Sequence, residues 1–76
     1  MAETLKSLKQ VSRGLVIHGR QEHIHIRGVI DDCFVVYRVW IKVQGMVALY
    51  EWSYGGMPLN TVMLFYKNAK IHYEEV

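Results

Sequence analysis

The spacing of apolar residues changes at Leu15. Before it, Leu5, Leu8 and Ser12 recur at i, i+3 and i+7 with Val11 beside them, which predicts a short amphipathic helix over about residues 3–13. Glu3 and Thr4 stand at its start. Lys6, Lys9 and Arg13 lie toward the end, where cations suit the helix dipole, and Gly14 is placed to stop it. From Leu15 onward the pattern has period two and is rich in Val, Ile, Tyr, Phe and Trp, the residues that fit a pleated surface. Strands are expected at about 15–19, 22–30, 33–43, 46–53, 61–67 and 70–75. The single proline, Pro58, lies with Gly55 and Gly56 in SYGGMPLN, which reads as an irregular loop.

Turn positions give the strand register. With Asp31-Asp32 as a two-residue turn, Ile30 lies opposite Cys33, Gly28 opposite Val35, Ile26 opposite Tyr37 and Ile24 opposite Val39. With Gln44-Gly45 as the next turn, Val43 faces Met46, Ile41 faces Ala48, Val39 faces Tyr50 and Tyr37 faces Trp52. One face then stays apolar across three strands, and a slip of one residue would turn every set over. Asn68-Ala69 marks a third hairpin, with Tyr66 facing Ile71, Phe65 facing His72 and Leu64 facing Tyr73. The fold class that follows is α+β: a short N-terminal helix packed on a twisted antiparallel β-meander or small open barrel of five to six strands. Residues 1–76 form one domain in this reading, because 76 residues leave room for no more.

The opposite face of the meander carries the functional question. Its rows are His23–Trp40–Leu49, His25–Arg38–Glu51 and Arg27–Val36–Ser53, with Lys42 near one end. Arg38 and Glu51 form a cross-strand charge pair in this register. Trp40, Leu49, Val36, Val47 and Phe34 are too apolar for a face meant only for water, so a cover is expected.

Composition sharpens that point. Hydrophobic residues make up 51% of the chain, yet a domain this small hides only about 60% of the surface its unfolded chain exposes. A helix of about 11 residues is roughly 16 Å long. Strands lie about 4.8 Å apart, so one such helix shields two or three of them. The N-terminal helix is the first candidate for that cover, and a second copy of the chain is expected over the apolar surface the helix leaves, with a dimer favoured. The single cysteine, Cys33, forms no internal disulfide and reads as a small buried hydrophobe. No apolar run approaches the roughly 18 residues of a membrane span, and the N-terminal decapeptide MAETLKSLKQ is polar. A cytoplasmic protein without membrane contact is expected.

Nine Lys and Arg against seven Asp and Glu give a formal charge of +2, which permits a nucleic-acid partner without demanding one. Arg27, Arg38, Trp40, Lys42 and Leu49 are the candidate partner- or ligand-binding residues. Aromatic rings among cations can stack bases and meet phosphates of a single strand. His23 and His25 share one strand face, and His-x-His is an element of metal sites. His18 and His72 are further histidines, but spacing fixes no third ligand, so no metal or other cofactor is assigned. No catalytic residue is assigned either: GxGxxG, GxxxxGK[ST], CxxC and HExxH are all missing. The sequence thus favours a small non-enzymatic binding or protein-interaction module acting as a homo-oligomer. The alternative is a single-stranded nucleic-acid-binding protein using the basic and aromatic sheet face. The second alternative is a small metal-dependent enzyme using His23 and His25.

Overall fold

The computed structural model describes residues 3–43 and 46–75, with side chains described for 3–41 and 55–75. Six strands form one open antiparallel sheet. They are β1 (Glu3–Thr4), β2 (Leu15–His18), β3 (Glu22–Ile30), β4 (Phe34–Val43), β5 (Met46–Pro58) and β6 (Lys70–Tyr73). Their order across the sheet is β1-β6-β2-β3-β4-β5. One α-helix, α1 (Leu59–Tyr66), joins β5 to β6.

The expected N-terminal helix over residues 3–13 is not formed. β1 pairs with β6, Glu3 opposite Ile71 and Thr4 opposite Lys70. The Leu5 amide donates to the Ala69 carbonyl at 2.9 Å, and Asn68 donates back to Leu5 at 2.8 Å. Only a single 3-10 turn, Leu8–Gln10, remains. The Ser7 side chain accepts from Lys9 N–H, and the Gln10 side chain accepts from Ser7 N–H. The reason is burial: Leu5 and Val11 are buried while Leu8 is 36% exposed, so the three never share a face. An isolated helix this short is marginal, and backbone pairing with β6 replaces it.

The expected strand at 61–67, and the third hairpin with it, is instead helix α1. The run VMLFY is apolar throughout, so it satisfies a helical period as well as an alternating one. Pro58 precedes the helix at φ −58° and cannot donate to a strand ladder. Leu59, Val62, Met63 and Tyr66 turn toward the core. α1 therefore covers the sheet where a helix at the other end of the chain was expected.

The inner face holds the core. Ile71, Ile17, Ile24 and Val39 stand side by side across β6, β2, β3 and β4. Leu5, Val11, Leu15, Ile26, Val35 and Val62 complete the buried set, with Val29, Tyr37 and Met57 packed on it. Burying a side chain of this kind contributes about 1.5–3 kcal/mol.

In the β3–β4 hairpin, Ile24 faces Val39 and Ile26 faces Tyr37. The tip differs from the two-residue expectation. Ile30 pairs with Phe34 rather than Cys33, Gly28 with Val36 and Val29 with Val35. Three residues, Asp31 to Cys33, make the loop, and a register shift between Ile26 and Gly28 puts Arg27 in a bulge. The bulge absorbs the extra loop residue, so register from Ile26 inward is kept. Cys33 is exposed in that loop rather than buried.

The β4–β5 ladder begins as expected, Val43 opposite Met46, although the turn at Gln44-Gly45 lies outside the described residues. It then shifts twice, so that five residues of β4, Val39–Val43, run beside eight of β5, Met46–Ser53. Val39 consequently faces Ser53 and Tyr37 faces Gly55, not Tyr50 and Trp52. Arg38 faces Tyr54 and Trp40 faces Glu51, so Glu51 stands opposite Trp40 rather than directly opposite Arg38. The segment read as a loop around Gly55-Gly56 continues β5. A Cβ at Gly55 would collide with the Tyr37 ring, and one at Gly56 with the Phe34 ring.

Asp31 and Asp32 sit at φ 52° and 55°, the left-handed pair of a type I′ turn, closed by Cys33 N–H to Ile30 O at 3.0 Å. Replacing them with Asn-Gly, which adopts these angles with less strain, should raise unfolding free energy by about 1 kcal/mol in urea titrations. A lower urea midpoint would contradict the turn assignment.

Candidate functional site

Register on the inner face dictates what stands on the outer one. Residues directly opposite each other share a face, and neighbours along a strand alternate. Because Ile17 points inward, Val16 and His18 point outward. Two rows result. In one, His72, Val16, His25 and Arg38 stand on β6, β2, β3 and β4. In the other, Lys70, His18, His23 and Trp40 stand on the same four strands. All four histidines of the chain are therefore on one face.

A cavity of about 300 Å³ opens on this face, lined by Val16, His23, His25, Arg27, Arg38, Trp40, His72 and Glu74. Val16, 5% exposed, is a small apolar floor between the taller His72 and His25. The sequence candidates Arg27, Arg38 and Trp40 thus meet, and His23 and His25 meet them. The side chains of Lys42 and Leu49 lie outside the described residues. His72, Glu74 and Lys70 were not assigned to the site from the sequence, because their place depends on β2–β6 pairing, which joins segments more than fifty residues apart.

The face is internally wired. His72 Nε2 lies 2.9 Å from Glu74 Oε1, and His72 Nδ1 lies 2.6 Å from His18 Nε2. A carboxylate only accepts, so the His72 Nε2 proton belongs on that bond. With a neutral His72 ring, Nδ1 is then an acceptor and His18 Nε2–H donates to it. The His18 ring also lies against His23, centroids 4.2 Å apart. The hydrogen bond from His72 holds the Glu74 carboxyl below the usual range.

His25 has a different environment. Its Nε2 is buried and meets no hydrogen-bond partner among the described residues. Desolvation lowers its pKa below the ordinary 6.5. Glu74 works against the shift, and Arg27, Arg38 and His72 add to it. The neutral ring is thereby favoured in the folded chain.

Among the described residues, no three His, Cys, Asp or Glu side chains are placed to hold a metal ion. His23 and His25 lie opposite Trp40 and Arg38 rather than converging with a third ligand. No described helix is long and apolar enough to cross a membrane. What the face offers chemically is a ring to stack on, guanidinium groups, and several imidazoles around a shallow apolar floor.

The chain matches no protein-family model, no curated protein and no solved structure.

The His25 shift has a consequence for stability. Its folded pKa is lowered, so the unfolded chain takes up the proton first as pH falls. The stability from neutral His25 is fully present above pH 6.5 and is lost as pH drops below that value toward the folded pKa. Urea midpoints should therefore fall between pH 7.5 and pH 5.5, and His25→Gln should flatten that dependence. An unchanged slope in the variant would show that His25 is not the group responsible.

Proposed function

We propose that this chain is a non-enzymatic binding module whose outer sheet face takes single-stranded nucleic acid. One observation carries the reading: strand pairing gathers Arg27, Arg38 and Trp40 around a single cavity with three of the four histidines. Trp40 serves as the platform on which a base stacks, and base–aromatic stacking is worth about 1–3 kcal/mol. Arg38 beside it and Arg27 at the bulge meet the phosphates, as charge-assisted donors in a fixed fork. Lys70 stands at one end of the row that holds His18, His23 and Trp40, which adds a cation on the β6 side of the aromatic strip. Among the described residues, Glu74 is the one carboxylate lining the cavity, and His72 holds it by a hydrogen bond. A groove of this shape tolerates any base, because every base has a π-face.

A second reading, assembly with another copy of the chain, is favoured by β5. This strand of thirteen residues closes one end of the sheet order. Between Met46 and Pro58 it carries one charge, Glu51, and no proline before the last position. Natural edge strands are normally short or guarded by lysine and proline. Antiparallel pairing of β5 with its own copy about a two-fold axis supplies the missing neighbour. Both outer faces would then lie on the same side of one continuous sheet. Light scattering that returns only 8.9 kDa at micromolar concentration would remove this reading.

Fluorescence anisotropy with a labelled oligouridylate tests the nucleic-acid reading. Affinity should fall steeply with added salt. Arg38→Ala should lower the slope of log K against log salt by about one, since one phosphate contact is lost. Trp40→Ala should weaken binding about 5- to 150-fold without changing that slope. Wild-type protein that fails to bind at low salt would dispose of the proposal.

A further inference from the structure

The outer face does not end at His18. The β2–β3 turn and the α1–β6 turn lie at the same end of the sheet, because His18 closes β2 opposite Lys70, which opens β6. Between these turns is a second cavity, about 440 Å³, within the roughly 300–1,000 Å³ range of small-ligand sites. His18, Arg20, Glu22, Phe65 and Lys67 are among its walls. His18 also touches His23 and His72, both of which line the first cavity. One imidazole, His18, therefore lines this cavity and touches two residues that line the other.

Phe65 is the unexpected member. Leu59, Val62, Met63 and Tyr66 turn to the core, whereas Leu64 and Phe65 are 78% and 69% exposed, and Phe65 forms a wall of this cavity. The ring meets Tyr66 edge-on, centroids 6.5 Å apart, and otherwise stands in the cavity wall with Arg20 and Lys67. Glu22, the carboxylate in the wall, accepts from the Tyr66 hydroxyl at 3.3 Å, which ties it to the helix side. Burial first, and then that carboxylate, push the Tyr66 phenol up to about 12, so it remains a donor to Glu22.

We infer that this cavity is a second nucleotide subsite, in which Phe65 stacks one base and Arg20 and Lys67 meet its phosphates. The inference rests on the single-strand reading of the outer face and extends the path of that strand. From Trp40 to His18 are two inter-strand steps, about 10 Å. A strand stacked on Trp40 crosses β3 and β2, passes His18, and turns around the end of the sheet onto Phe65. The same chemistry recurs at both ends of the path: one ring for a base and two cations for phosphate.

The test compares oligouridylates of two lengths, about four and about twelve nucleotides, on wild type and on exposed-site variants. The short oligomer reaches only the Trp40 cavity, and the long one reaches both. Phe65→Ala should weaken the long oligomer about 5- to 150-fold and leave the short one unchanged. Phe65→Trp should retain full affinity. Arg20→Ala combined with Lys67→Ala should lower the salt slope for the long oligomer by about two. Phe65→Ala that binds both lengths like wild type, while Trp40→Ala does not, overturns the subsite and leaves the outer-face reading standing. Wild type that binds neither length removes both. A change of mass in light scattering on Phe65→Ala without RNA would overturn the subsite in favour of a protein contact at this end of α1.

Discussion

The inner row Ile71–Ile17–Ile24–Val39 is the constraint from which the rest of the structure follows. Its members come from four strands, and each has to be kept from water. A sheet gives a strand one choice of register for doing so. Once these four point inward, the residues on either side of them point outward, with no further freedom. Val16 and His18 flank Ile17, and His23 and His25 flank Ile24. Arg38 and Trp40 flank Val39, and Lys70 and His72 flank Ile71. The outer face is the complement of the core, fixed by the same pairing that buries the core. A shift of one residue in β2 would expose Ile17 and bury His18.

That dependence explains which parts of the fold were legible. In the β3–β4 hairpin the two strands are adjacent in sequence, alternate cleanly and are joined by three residues. His23 opposite Trp40 and His25 opposite Arg38 could be read from that alternation. Bulges could not, because they leave no mark on a period-two pattern. Arg27 sits in one, and its effect is to correct the count for Cys33, so the tip was misaligned while the body was right. On β5 the shifts are larger, and every pairing beyond Val47 moved. The segment after Pro58 was ambiguous for a different reason. A run of five apolar residues, Val62 to Tyr66, fits a helix or a strand equally, and only the need to cover the sheet decides between them.

The site divides along the same line. Arg27, Arg38, Trp40, His23 and His25 all come from one hairpin, and that hairpin was legible. His18 reaches them through β2–β3 pairing. His72 reaches them only through β2–β6, which brings together residues 54 apart. Alternation along a single strand carries no information about such a pairing. Phe65 was assigned to a strand face opposite His72, and it became exposed only because the segment is helical.

The arrangement of the four histidines also sets a limit on what this face does in the folded chain alone. A buried imidazole nitrogen with no partner costs about 1–3 kcal/mol relative to a satisfied one. His25 carries that cost, and burial first, with Arg27 and Arg38 adding to it, disfavours a proton on the ring. Glu74, His72 and His18 spend three polar side chains on one hydrogen-bonded chain at a surface where water would satisfy each of them separately. Packing therefore accounts for Val16 and the inner row, and it does not account for the residues around them. A ligand that brings negative charge would stabilise Arg27 and Arg38 against each other, and it would offer the His25 ring an acceptor once it is protonated. On the nucleic-acid reading proposed above, a phosphate is a group that could supply that negative charge.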